Sequence, residues 1–338
     1  MERSSAVSMQ DVAREAGVSP QTVSRVANGS GAVRPDTRRR VEVAMERLGY
    51  RPNYAARALK NGKFKDVGVV LFNMTNFGNA RILNGICAAA DDSDYAVTTL
   101  TIGHGRDRTL EAAVNRMKQL PVDGVIIVLE QRIIDFNDFK PPKDLPVVLI
   151  NEDAANHCPT VDGDQYGCST TVVDYLLSKG HRTVYHITGP ALSRAAESRA
   201  RGWRDSLEQL GLRIPPTYVG DWQADSGYQA GLTLARDPEC TAIYAANDQM
   251  AYGAILGLRA AGRRVPEDVS VIGVDDSLVG MVPRLALTTM RMKFTEIGAT
   301  AFSMIKQQCN GEHVPVGVKT VIPCELVERG SVRSISLD

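Results

Sequence analysis

Beyond Asp66 the chain alternates two textures. Short runs that are apolar almost throughout, VGVVLF (67–72), YAVTTLTI (95–102), DGVIIVL (123–129), PVVLI (146–150), TVYHIT (183–188), TAIYAAN (241–247) and VSVIGVD (269–275), are separated mostly by stretches whose apolar residues recur at helical spacing. Runs of that length without polar alternation predict strands buried on both faces. The helical stretches are 80–91, 108–120, 166–179, 198–210, 226–235 and 249–261. Strand and helix in alternation predict an α/β chain with parallel sheets wound on both faces, and the length accommodates two such halves. One starts at Asp66 and the second after a crossover near Thr160, Val161 and Asp162, with TTMRMKF (288–294) and VKTVIPCEL (318–326) returning the chain between them. Sheets of this kind take ligands beyond the carboxyl ends of their strands, so the cleft between halves is the expected ligand site.

The front of the chain reads differently. Ser8 with Asp11 three residues on resembles a capping box and opens a first helix whose apolar face is Val12, Ala13 and Ala16. Gly17 breaks it, and Ser19-Pro20 starts a second, because serine caps free backbone N–H groups and proline at the first helical position loses a donor that has no partner there anyway. Val18, Val23 and Val26 turn towards the first helix, which leaves Gln21, Thr22, Ser24 and Arg25 outward. Arg34-Pro35-Asp36-Thr37 turns into a third helix, 37–48, with Val41, Ala44, Met45 and Leu48 on one face and Gly49 as its stop. This is the helix-turn-helix pattern, in which the start of the second helix meets base edges in the major groove. Glutamine suits adenine and arginine suits guanine. Taken alone, the same pattern also fits a surface helical hairpin with a solvated face.

The segment YRPNYAARALKNGK (50–63) is basic and alanine-rich. A helix this short is marginal in water, so it is expected either to order against DNA and a partner copy or to be a plain linker.

Charge separates the two parts further. The net charge of +0 hides 13 Lys and Arg against 6 Asp and Glu in residues 1–65, a net of +7, balanced by −7 in the remainder. A basic head on an acidic body suits a polyanion-binding domain fused to one that avoids nucleic acid. No apolar run is long enough to span a membrane and MERSSAVSMQ has no signal-peptide core, so no membrane partner and a cytoplasmic location are expected. Six scattered cysteines and five histidines form no ligand spacing, so neither metal nor cofactor is expected. Asp275 and Asp276 are adjacent carboxylates without a histidine or nucleophile motif, which argues against catalysis and leaves no catalytic residue to name.

Together these stretches resemble the lactose-repressor family of bacterial transcription regulators. The resemblance runs over nearly the whole chain and is most specific in DVAREAGVSPQTVSRVANGSGAVRPDTRRRVEVAMERLGYRPNYAARAL, HRTVYHITGP, SRARGW, AANDQMAYGAI, VPEDVSVIGVDD and LALTTMRMKF. It implies a three-helix helix-turn-helix head (1–50), a hinge helix (51–63) and a two-lobed periplasmic-binding-protein-like sensor (64–338). The first lobe would hold about 64–161 plus 291–322 and the second about 162–290 plus 323–338. It also implies a homodimer on double-stranded DNA, at a near-palindromic operator, that changes its grip when a small molecule closes the cleft. The tail ERGSVRSISLD lacks leucine heptads, which favours a dimer over a tetramer.

By position, the resemblance assigns base reading to Pro20, Gln21 and Arg25. Backbone or sugar contacts fall to Ser19, Ser24, Asn28 and Thr37, and Tyr50 joins the DNA-binding set. Asn53, Arg57 and Leu59 fall in the hinge, where paired leucines wedge into the minor groove; such a wedge unstacks a base step and bends the duplex. In the sensor, Arg199, Asn247 and Asp275 match positions that hold ligand hydroxyls or carboxylates, and Trp222 matches an aromatic platform for the C–H face of a sugar. Asn151 and Phe294 are further candidates, with Phe72 and Asn76 on the first-half wall. There the chain departs from the family, reading Asn76-Phe77-Gly78-Asn79 where many members carry an Asn-Pro-Phe-Phe-like turn. The expected effector is a sugar or sugar derivative, and Met292 suggests one with an apolar aglycone. The alternatives are a purine or phospho-metabolite that strengthens DNA binding and, from another class, a solute-binding protein.

Overall fold

The computed structural model describes residues 7–27, 32–50, 62–102, 109–283 and 285–335. They fall into two compact units, residues 1–64 and 65–338.

The first unit holds three helices, α1 (Met9–Ala16), α2 (Pro20–Ala27) and α3 (Pro35–Leu48). The capping box at α1 is complete: Ser8 Oγ accepts from Asp11 N at 3.3 Å, and the Asp11 carboxylate accepts from Ser8 N at 3.0 Å. Gly17 ends the helix at φ +61°, a left-handed backbone that glycine adopts without steric cost. α3 starts two residues before the expected Thr37, because Pro35 is tolerated where no backbone donor is needed. Val12, Ala13, Ala16, Val23, Val26, Val41 and Ala44 form the shared core. So small a core leaves little apolar area to bury, which makes each helix cap a sizeable fraction of the unit's stability.

The second unit is two six-stranded sheets. The first has the order β11-β5-β4-β3-β1-β2, from β1 (Asp66–Leu71), β2 (Ala96–Thr101), β3 (Gly124–Val128), β4 (Val147–Ile150), β5 (Thr160–Gly163) and β11 (Lys319–Ile322), all parallel. The second has the order β12-β10-β9-β8-β6-β7, from β6 (Tyr185–Thr188), β7 (Tyr218–Val219), β8 (Ala242–Ala245), β9 (Ser270–Val274), β10 (Thr288–Arg291) and β12 (Glu325–Val327). Only the β10–β12 pairing is antiparallel. Seven helices accompany them among the described residues: α4 (Phe77–Asp91), α5 (Leu110–Met117), α6 (Gln165–Ser178), α7 (Arg194–Gln209), α8 (Ala224–Leu234), α9 (Asp248–Ala260) and α10 (Phe294–Cys309).

Four details differ from the sequence reading. Thr160–Gly163 is not a bare crossover but a strand, and β7 was not anticipated. β2 was expected to be buried, yet at the edge of its sheet three of its residues are exposed and three half-buried. α10 was missed, although Phe294, Ile297, Ala301, Phe302 and Ile305 keep helical spacing and are buried. α10 lies so close to α4 that a Cβ on Gly85 would stand 2.2 Å from the Thr295 carbonyl oxygen, and one on Gly298 would stand 2.2 Å from that of Ile82.

The chain passes between the sheets three times, after β5, between β10 and α10, and between β11 and β12. One continuous apolar cluster joins both lobes, from Val67 and Ile126 in the first to Trp203 and Ile272 in the second. Separate clusters cover the opposite face of each sheet. Among the described residues no helix is long and apolar enough to cross a membrane.

Candidate DNA-reading helix and effector cleft

On α2, Gln21 and Arg25 are exposed and four residues apart, one helical turn, so they occupy one face. Ser19 Oγ accepts from Thr22 N at 3.2 Å and so caps the helix that presents them. Ser19 and Pro20 are exposed at its start, whereas Ser24 and Thr37 are half-buried. Tyr50 packs against the head's apolar cluster. Asn28, Asn53, Arg57 and Leu59, and with them the expected hinge helix, lie outside the described residues.

In the second unit the carboxyl ends of both sheets face a cleft of about 350 Å³. Asn76 and Phe77 enter it after β1, Glu130 and Gln131 after β3, and Asp162 from β5. The other wall carries Arg194 and Arg199 of α7, Trp222 after β7, Asn247 after β8 and Asp275 after β9. Phe294, the first residue of α10, meets Phe77 edge-on with ring centroids 6.1 Å apart.

Arg199 is the buried centre of the second wall. Its Nε donates to Gln165 Oε1 at 2.8 Å, its Nη1 donates to the Ala246 carbonyl, and its Nη2 lies 3.5 Å from Asp275 Oδ1. The two side chains of that ion pair are only 4 % and 11 % exposed. Burial pushes the Asp275 carboxyl up to about 6 despite the guanidinium beside it. Asp162 is pushed up to about 7 by burial and then by the nearby Glu152. Behind them Asp248 is also raised to about 7 by burial, with the Asp275 charge adding to it, while its carboxylate accepts from Thr289 Oγ1 at 2.6 Å and Ser277 N at 2.7 Å.

Backbone strain concentrates here. Trp222 sits at φ +73°, Asp275 at φ +106° and Asp276 at φ +55°, left-handed conformations that non-glycine residues hold only where their surroundings enforce them. Asn247 supplies part of that enforcement: Nδ2 donates to the Trp222 carbonyl at 3.0 Å, while Oδ1 accepts from Met250 N at 2.9 Å and caps α9. Gly189 supplies the space, since a Cβ there would stand 2.2 Å from the indole.

One side of the cleft is laced across the lobes. Gln131 bridges to Ser193, Arg194 N donates to the Glu130 carbonyl at 3.2 Å, and Ser198 Oγ donates to Glu152 Oε1 at 2.8 Å. Arg132 pairs with Glu197 at 2.5 Å, and Arg194 pairs with Asp153.

Residues 8–53 match the bacterial regulatory proteins of the lacI family, and residues 173–332 match the periplasmic binding protein-like domain. Catabolite control protein A of Priestia megaterium is 33% identical over 317 residues, which cover 91% of this chain and 94% of that one. The chain belongs to the lacI family of bacterial regulatory proteins. As a lacI-family member it is a DNA-binding transcriptional regulator and not an enzyme. Its fold matches the lac repressor dimer bound to operator and the anti-inducer ONPF, with a TM-score of 0.80 and 28% identity over 97% of this chain and 99% of that one. It also matches the transcriptional regulator CelR in complex with cellobiose, with a TM-score of 0.66 and 28% identity over 96% and 99% of the two chains.

Of the effector residues expected from sequence, this lacI-family chain brings Asn76, Arg199, Trp222, Asn247, Asp275 and Phe294 to one cleft. Two do not line it. Phe72 follows Leu71 on the alternate face of the strand and packs with the cluster on the far side of the first sheet. Asn151 is buried, donates from Nδ2 to the Asp153 carbonyl at 3.0 Å, and borders a separate groove. Met292 does not line the cleft either; it fills the space beside Gly163. Asp162, Gln165, Gln131, Arg194 and Gln249 line the cleft unanticipated. Gln131, Gln165, Arg194 and Gln249 share a signal of position, just beyond a strand end or in the first turn of a helix, and Asp162 lies near the end of β5.

Proposed function

We propose that this lacI-family regulator is a repressor of carbohydrate-use genes, released from a near-palindromic operator when a sugar or sugar derivative binds between the lobes. The observation that carries the reading is the second wall of the cleft, where a buried Arg199–Asp275 pair stands beside Trp222 in a strained backbone. Neighbouring charged donors and acceptors bind adjacent hydroxyls, and an indole face packs on the C–H face of a pyranose. Asn76, Asn247 and Phe294 complete the site. The solved relatives named above, one on operator DNA with an anti-inducer and one with cellobiose, support the same assignment.

The head, 1–50, reads the operator through Gln21 and Arg25, with Ser19, Pro20, Ser24, Asn28, Thr37 and Tyr50 placing α2 on the duplex. The hinge, 51–63, contributes Asn53, Arg57 and Leu59 to the minor groove, and residues 64–338 sense the effector and pair two copies in the cytoplasm. Sugar binding favours one lobe arrangement over the other. A coupling of about 1–3 kcal/mol, the usual scale, changes operator affinity roughly 5–150-fold.

The test is fluorescence anisotropy on a palindromic duplex selected from random half-sites, at fixed salt, because phosphate contacts dominate affinity. Tight binding released by one sugar class supports the reading. Release or strengthening only by a purine or phosphorylated compound removes the sugar assignment, and absence of specific binding removes the operator assignment.

A further inference from the structure

The polar groups of the cleft are unbalanced in one direction. Its charged lining is Glu130, Asp162, Asp221 and Asp275 against Arg194 and Arg199. Both guanidiniums are already engaged by the protein. Arg194 pairs with Asp153 and Glu197, neither of which lines the cleft, and Arg199 is held by Gln165, the Ala246 carbonyl and Asp275.

Two of the amide donors are engaged as well: Asn247 Nδ2 by the Trp222 carbonyl, and Asn79 Nδ2 by the Asn73 carbonyl. Some acceptors stand open. Gln249 Oε1 and Asp275 Oδ1 are buried without a hydrogen bond, the latter with only the 3.5 Å approach of Arg199. Asp162 Oδ1 accepts only from the backbone N–H of its own neighbour, Gly163, at 2.7 Å.

A lining with twice as many carboxyl groups as guanidiniums selects for a cationic group. An ammonium brings three N–H donors and no acceptor, whereas each hydroxyl brings one donor with two acceptor lone pairs. The aromatic faces of Trp222, Phe77 and Phe294 attract the same charge. A phosphate or carboxylate would meet more carboxyl groups than guanidiniums in a part-buried space, with Arg194 already paired to Asp153 and Glu197 outside the cleft.

We propose that the effector is a carbohydrate carrying a protonated amine, a hexosamine or a short oligomer of hexosamines, with its ammonium between Asp162 and Asp275. This inference rests on the cleft being a sugar site.

Burial raises both of those carboxyls, to about 7 and about 6, and a bound ammonium would favour their charged forms.

The test is isothermal titration of the full chain with matched pairs: glucose and glucosamine, galactose and galactosamine, cellobiose and the β-1,4 disaccharide of glucosamine. The N-acetylated forms and glucose 6-phosphate are included. The expected result is that in one pair the amine binds tighter than its neutral partner by about tenfold or more, the scale of one charge-assisted hydrogen bond, and that acetylation removes the difference. Asp162→Asn is expected to shrink that preference, read as the ratio of the amine's affinity to the neutral sugar's in the same variant. Asp221→Asn at the rim is the second variant, less exposed to effects on folding, and is expected to shrink it by a smaller factor.

A neutral sugar that binds as tightly as its amine, tighter binding of the phosphate ester, or a preference unchanged in both variants would overturn the proposal and leave the sugar reading standing. If no compound of the panel binds or alters operator affinity, the sugar reading itself falls, and this inference with it.

Discussion

Asn247 holds the backbone of Trp222. Its Nδ2 donates to the Trp222 carbonyl at 3.0 Å, and the same side chain caps α9 through Met250 N. One residue therefore sets both a helix start and the aromatic surface of the cleft, and the two roles use different atoms. Asn247→Asp keeps the capping oxygen and loses the donor. Effector affinity is expected to fall about tenfold, the scale of one lost hydrogen bond to a group left unpaired, with little change in melting temperature. Titration by tryptophan fluorescence beside a thermal melt checks this; unchanged effector affinity would show that Asn247 acts only as a cap.

Gly189 tests the platform from the other side. A Cβ there stands 2.2 Å from the Trp222 ring, so Gly189→Ala must displace the indole. Effector affinity is expected to drop about tenfold or more through the lost stacking surface, while operator binding without effector is unchanged. A shift of tryptophan emission should accompany the loss, and affinity that survives a displaced indole would remove Trp222 from the site.

Arg25 is exposed on α2, four residues from Gln21. Arg25→Ala is expected to weaken operator binding by about 1–3 kcal/mol and to relax preference at one base pair of each half-site. Binding selection on randomised half-sites reads both effects. A uniform loss across all sequences would reassign Arg25 to the phosphate backbone.

Asp248 gives a signed pH dependence. Burial raises its carboxyl from the ordinary 3.8 to about 7, so on raising the pH the unfolded chain ionises first and the folded state is left holding the proton. Its contribution to stability is therefore present at low pH and is lost as pH rises from about 4 to about 7. Asp248→Asn lacks this loss. The stability of the variant relative to the parent should increase across that window, by at most about 1.4 kcal/mol per pH unit, and level off above it. His181 and His186, lowered to about 4 by burial, impose the opposite slope, but on both proteins, and cancel in the difference. Denaturant melts at several pH values measure it; a difference independent of pH would mean that Asp248 titrates normally.

The sheets were legible from sequence because a strand buried on both faces leaves an uninterrupted apolar run, as in VSVIGVD (269–275). β2 was placed correctly but read as buried, since an edge strand rich in threonine has the same outline as a central one. β5 and β7 are short, and Asp162 breaks the apolar run of the first, so the run length that flags a strand was missing. Arg199 and Asn247 followed from the family resemblance, and Asn247 also stands where a strand ends and a helix begins. Phe72 did not, because one residue of alternation decides which face of a strand it joins. The head was the most readable part, its three helices announced by Ser8, Gly17, Pro20, Pro35 and Gly49, each placed where a helix begins or stops.

The order of the strands also sets a timetable for synthesis. The contacts of the head close within about 40 residues of chain, so α1 to α3 can assemble as soon as they leave the ribosome. Neither sheet can. The first waits for β11, ending at Ile322, and the second for β12, ending at Val327, so both lobes are completed within a few residues of each other. For most of translation the nascent chain carries a finished DNA-reading head on an unfinished sensor. A prematurely terminated product would keep the DNA-binding head and lack both of the lobes through which it is proposed to be controlled.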